Sequence, residues 1–213
     1  KTILDAMERE PGLWQDGENY PGSLRALWHY RCAMHDGRVG DRPQQRTHLE
    51  EAIRHNPRDA DVLIAMHRLP DADPPWREMT KIRIQEMSRN SLQAAKKYEA
   101  FAKNPLQQRL RTESDDRLEN LYNEFAWLVS NTEGDFQEAL RSSQRSLELS
   151  PDNPAYLDTL ARCYYALGDL TNAVKHQARA VRLEPSSQQM RRQLKLFEES
   201  LSKSPDKPPG SSH

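Results

Sequence analysis

GDFQEALRSSQRSLELSP (residues 134–151) and GDLTNAVKHQARAVRLEP (residues 168–185) are two versions of one pattern, set 34 residues apart. Superposed, Ala139 falls on Ala173, Leu140 on Val174, Leu147 on Val181, Leu149 on Leu183 and Pro151 on Pro185. A fixed period of roughly 20–50 residues marks a stacked-repeat architecture, in which each unit buries its apolar face on its neighbour. The pattern predicts an array of helix pairs, and a protein that works through its surface.

The unit that ends at Pro185 begins near Pro154. Asn153 can accept from the free amides of a helix start, and Pro154 suits the first helical position because no amide is needed there. A first helix follows with Leu157, Leu160, Ala161 and Tyr164 on one stripe. Gly168 is expected to end it in the left-handed conformation, and Asp169 to cap a second helix. The inner face of that second helix reads Ala173, Val174, Gln177, Ala180, Val181 and Leu183, and Pro185 closes the unit.

This series resembles the tetratricopeptide repeat, whose slots are an aromatic, Leu-Gly, Tyr, Ala, Phe, Ala and Pro over about 34 residues. Here those slots hold Leu157, Leu160-Ala161, Tyr164, Ala173, Gln177, Ala180 and Pro185. Leu157 replaces the usual Trp, and Gln177 the usual aromatic. One period earlier the slots read Asn123, Ala126-Trp127, Ser130, Ala139, Ser143, Ser146 and Pro151. Trp127, in a slot that prefers a small residue, is expected to lie toward a neighbouring helix and make the packing there atypical. Asp135 and Glu138 have the spacing of a capping box, two groups that satisfy helix-start amides reciprocally.

A further copy keeps the same internal distances through Gly40-Asp41, Leu49, Ala52 and Pro57, with Cys32-Ala33 in the small slots and Leu27, Trp28 and Tyr30 as bulk. Between the copies the period breaks. Asp59 to Leu69 reads as a capped helix, Asp71–Pro75 as a breaker-rich loop, and Trp76–Lys103 as one long helix stopped at Asn104-Pro105. After Pro185, Met190, Leu194, Phe197 and Leu201 form an apolar stripe on an otherwise charged helix, as a solvating end cap requires.

The expected fold is therefore all-α: a right-handed superhelical solenoid of antiparallel helix pairs, with one expanded, irregular repeat and a C-terminal capping helix. Its divisions are the end of a preceding half-repeat plus loop (1–23), a repeat (24–58), the expanded repeat with the long helix (59–119), two repeats (120–153 and 154–187), the capping helix (188–203) and a disordered tail (204–213). The chain begins at Lys1 with Ile3 and Leu4 placed like the tail of an earlier second helix, and is expected to be a piece of a longer array.

Composition narrows the function. Hydrophobic residues make up 36% of the 213 and charged ones 30%, which suits a thin solenoid with wet helices better than a compact globule. A net charge of −1 provides no global attraction for nucleic acid or an anionic membrane, and no apolar run is long enough to span a bilayer. The two cysteines, Cys32 and Cys163, lie in different repeats and read as ordinary, mostly buried thiols. They leave the compartment undecided; a soluble chain is expected, with the cytoplasm slightly favoured.

Chemistry-bearing motifs of hydrolases, metalloproteases and nucleotide binders are absent from the sequence, so no catalytic residue, cofactor or metal is assigned. His29 with Cys32, and His48 with His55, come nearest to metal-ligand spacing, but each pair lacks further ligands and reads as core or surface. The stretch Trp76–Thr112 carries nine Lys or Arg against three Glu. A solvated helix face accounts for it better than a nucleic-acid or acidic-partner surface, because Tyr98 and Phe101 sit where a core stripe would.

The resemblance implies scaffold or adaptor work, with a peptide or partner segment held on the concave face lined by the first helices. At the spacing of a helix, the groove-facing positions are Leu27, Tyr30 and Met34; Asp61, Ile64 and Arg68; Leu121, Glu124, Leu128 and Asn131; and Ala155, Asp158, Arg162 and Tyr165. The family's best-known mode grips an acidic C-terminal tail with cations, but Glu124 and Asp158 occupy those places. A ligand carrying Lys or Arg fits better. The alternatives are self-association, or service as a structural arm or enzyme-regulatory domain of a larger protein.

Overall fold

The computed structural model describes residues 20–102 and 115–204, which contain nine helices and no strand. The chain divides into two compact units, residues 1–83 and 84–213. The expectations for Ile3 and Leu4, for the stop at Asn104-Pro105, for the basic residues 103–112 and for the tail beyond Ser204 lie outside the described residues.

The first unit holds α1 (Tyr20–Val39), α2 (Arg42–His55), α3 (Ala60–His67) and the opening turns of α4 (Pro74–Ala102). Helices α1 and α2 pack against each other, and Ala26 and Ala33 of the one and Leu49, Ala52 and Ile53 of the other are buried. Asp41 caps α2 by accepting from the Gln44 amide at 3.1 Å. Leu27 and Trp28, expected to bulk out α1, instead stand 45% and 38% exposed beside Leu24. Asp59 caps α3 as its sequence predicts, accepting from the amides of Asp61 and Val62.

The proline-rich loop expected at 71–75 is shorter than its composition suggests. Pro74 and Pro75 form the first turn of α4, where their missing amides cost nothing, and Asp73 accepts from the Trp76 amide at 2.8 Å. Trp76 is buried rather than offered to a partner. Its indole N–H donates to the Met66 carbonyl at 3.0 Å, and the Arg46 guanidinium lies 4.6 Å from the ring while pairing with Asp73 at 2.7 Å.

In the second unit the 34-residue pattern becomes two hairpins and a covering helix: α5 (Asp115–Asn131) with α6 (Phe136–Leu149), α7 (Pro154–Ala166) with α8 (Leu170–Leu183), then α9 (Gln188–Lys203) on α8. The predicted caps are in place. Asn153 accepts from the amides of Ala155 and Tyr156, and Asp169 from that of Asn172. Gly168 takes φ +81°, and the Asp169 amide returns to the Tyr164 carbonyl, closing the end of α7.

The capping box forms by half. Asp135 accepts from the Glu138 amide at 2.9 Å, but the Glu138 carboxylate turns to Lys96 of α4 at 2.9 Å and to Arg141 at 2.6 Å. Two cations outcompete one neutral amide for that carboxylate. Small residues carry the close approaches, as expected: Ala126, Ala139 and Cys163 are buried with Phe125 and Val129, while Ala161 and Ala173 are buried with Phe197. Ala126 packs into that cluster, and its neighbour Trp127 is only half-buried. Tyr98 lies against the Ala95–Leu118–Tyr122 cluster, whereas Phe101, assigned to the same stripe, is exposed.

Candidate interaction surface

On α4, Ile84, Ser88, Leu92 and Lys96 recur every four residues and so share one face of the helix. That face meets Phe125 and Val129 of α5, the connection Glu133-Gly134-Asp135 and Glu138 of α6 across an open cleft of about 480 Å³. The floor is apolar, through Ile84, Leu92, Phe125 and Val129. The rim carries both charges: Arg89 and Lys96 on one side, Glu133, Asp135 and Glu138 on the other.

Gly134 makes this edge possible. Its φ of +134° is open to glycine, and a Cβ there would press to 3.2 Å from a Val129 methyl in the cleft wall. Lys96 is the first cause, followed by Arg141, that holds the Glu138 carboxyl below the ordinary range, so the ion pair persists in mild acid. The Ser88 hydroxyl, also on the lining, is buried without a hydrogen-bond partner. An apolar floor and a charged rim are what a short segment of another protein can complete.

The sites expected from register alone fare unevenly. Leu128, Asn131, Asp158 and Ile64 are buried, so they drop out of any accessible groove. Leu121 leans on the Ala95–Leu118–Tyr122 cluster, and the Tyr165 ring stacks on Phe197 at 4.5 Å. Glu124 and Arg162 are half-buried and Ala155 is exposed. The Arg162 Nε donates to the Ser130 carbonyl at 3.2 Å, and its guanidinium lies over the Tyr165 ring. In the first unit Tyr30 and Met34 are half-buried, while Asp61 and Arg68 are exposed. Burial, with Asp61 and Asp59 nearby, pushes the Tyr30 hydroxyl up to about 12.

Asp158 is the largest departure. Its carboxylate accepts from Gln177 Nε2 at 2.5 Å and from Gln193 Nε2 at 3.2 Å, and Gln177 also donates to the Met190 carbonyl. The supposed groove residue is thus the hub of a polar network joining α7, α8 and α9. Gln177, the odd residue in an aromatic slot, is fully buried as its partner. Burial lifts the Asp158 carboxyl to about 6, against the opposing pull of Gln177 and Arg162.

The cleft was missed because the repeat register points to first helices only. Its signal was nonetheless present, in the four-residue recurrence of Ile84, Ser88, Leu92 and Lys96, where a small polar residue interrupts an apolar face. Among the described residues no helix is long and apolar enough to cross a membrane.

Comparison with known proteins bears on the second unit. The tetratricopeptide repeat family matches residues 132–193. A 58-residue segment is 43% identical to a TPR repeat-containing thioredoxin, TTL4, of Arabidopsis thaliana; it covers 27% of this chain and 8% of that protein. Repeats of this kind generally mediate protein–protein interaction and are typically non-catalytic. The hairpins, their caps and the family match agree. Residues 132–193 match the tetratricopeptide repeat family, and the hairpins and caps they form are those of such repeats.

Proposed function

We propose that this chain is a non-enzymatic interaction module that holds a peptide segment of a partner protein in the cleft between α4 and the α5–α6 hairpin. One observation carries the reading: an open, apolar-floored cleft with charges of both signs on its rim, built from packed helices. Helices already fixed by their neighbours lose little entropy on binding, so a few anchors suffice. The segment supplies an apolar side chain to the floor and at least one Lys or Arg to Glu133. The half-buried Glu124 and Arg162 on the first-helix face extend the surface.

The test uses two substitutions of exposed lining residues, Gln85→Trp and Arg89→Glu, which fill and recharge the cleft without touching the core. Partners captured from native extract by the parent chain, and lost by a double variant of unchanged helicity, support the cleft. Partners lost only by Glu124→Arg move the site to the first-helix face. Equal capture by all three chains overturns both.

A second reading, self-association, draws on the exposed Leu24, Leu27 and Trp28 of α1, which share one helix face. Sedimentation that shows a concentration-dependent dimer, abolished by Leu27→Lys, supports it. A monomer throughout sinks it.

A further inference from the structure

We propose a binding site for a divalent transition-metal ion of the zinc class, held between α1 and α2 by His29, Glu51 and His55. These side chains each offer one ligand atom, and the three atoms lie within 4.8 Å of one another. Glu51 and His55 are one turn apart on α2 and share a face, and His29 meets them from α1. The two α2 ligands thus stand at positions i and i+4, a spacing that sequence reading passed over when it paired His29 with Cys32 and His48 with His55.

A second observation points to a ligand. The Nδ1 atom of His29 is buried with no hydrogen-bond partner. The His29 and His55 rings lie nearly parallel, 5.7 Å apart with 17° between planes, and a third imidazole, His48, sits 5.5 Å from His29. Two imidazoles and a carboxylate beside an unsatisfied nitrogen gain from a cation that takes up their lone pairs. Among neighbouring groups, Arg54 opposes a cation there and Glu51 favours it.

The donor set selects the ion. Two imidazoles and a carboxylate suit zinc and its transition-metal neighbours, whereas magnesium and calcium prefer oxygen alone. Tetrahedral ligands at zinc distances stand about 3.3 Å apart, so no pair of the three atoms has to close by more than about 1.5 Å on binding. Glu51 and His55 are half-buried, so side-chain rotation can supply that closure. His48, whose Nδ1 lies 2.7 Å from Asp36, packs its ring beside that of His29. The ion would tie α1 to α2.

The experiment uses the full 213-residue chain after chelator treatment, titrated with Co²⁺ and followed by visible absorption, then with Zn²⁺ by calorimetry. The expected result is one equivalent of Co²⁺ with a tetrahedral-type spectrum, displaced by Zn²⁺ and not by Mg²⁺ or Ca²⁺. Zinc at a hundredfold excess over Kd raises Tm by roughly 5–10 °C. His55→Asn and Glu51→Gln each weaken binding at least about 100-fold with helicity unchanged, and His67→Asn leaves it intact. Should His29→Asn fail to fold, Glu51→Gln on the rim still decides. No saturable Co²⁺ binding overturns the proposal, as does full binding by the Glu51→Gln, His55→Asn double variant.

Discussion

The two successive hairpins of the second unit share a register, yet they use the same positions in opposite ways. Leu128 is buried where its counterpart Arg162 is half-open, and Asn131 is buried where Tyr165 is not. Between Glu124 and Asp158 the order reverses, with the earlier residue half-exposed and the later one 5% exposed. The cause lies in what each position meets. Asp158 faces Gln177 on α8 and Gln193 on α9, which draw the carboxylate inward. Arg162 reaches back to the Ser130 carbonyl at the end of α5. Register assigns a direction along the helix, but the neighbouring repeat decides whether that direction ends in water.

The comparison breaks most readily at Leu128. Leu128→Ala costs about 2–5 kcal/mol in urea unfolding, because a fully buried Leu leaves a cavity. Arg162→Ala, at the same register position, costs about 1 kcal/mol or less. Equal losses would show that the two positions are buried alike.

Asp158 sharpens it next. Burial raises this carboxyl from an ordinary 3.8 to about 6, so between those values the folded chain holds the proton more tightly than the unfolded one. The stabilisation is whole below about pH 4 and is lost as pH rises through 6. Asp158→Asn therefore gains up to about 3 kcal/mol at pH 7 and flattens stability across that window. A parent chain whose stability rises from pH 4 to 6, with the Asn variant following it, contradicts the buried network.

The turns give a smaller contrast. Gly134→Ala meets both a left-handed backbone and the Val129 side chain and costs about 2 kcal/mol; Gly168→Ala meets the backbone alone and costs about 1 kcal/mol. Smallest is Asn153→Ala, which removes the α7 cap for about 1 kcal/mol or slightly less, read as a shift in urea midpoint.

Local rules made the helices readable. Asn153-Pro154, Gly168-Asp169 and Asp59 each act within a few residues of themselves, so their sequence neighbours contain all that decides them. Pro74 and Pro75 misled because a proline pair reads as a breaker until Asp73 is seen capping the turn. The rest depended on contacts far apart in the chain. Glu138 leaves its capping box for Lys96, Trp76 buries itself on Met66, and His29 finds Glu51 and His55, none of which has a sequence-local cause. The α4–α6 cleft belongs to the same class, since it exists only where a long irregular helix meets a regular hairpin.

Cys163 carries a consequence of another kind. It is fully buried, burial pushes its thiol up to about 12, and its sulfur lies 3.9 Å from the Ala126 carbonyl of α5. A thiol reagent can reach it only when α5 and α7 part, so its labelling in the native protein reports that opening. Cys32, half-buried on α1, is modified sooner and clocks the first unit separately. Two cysteines, one in each unit, equip the unaltered chain with a kinetic readout of its own breathing, and a bound peptide would announce itself by slowing one clock and not the other.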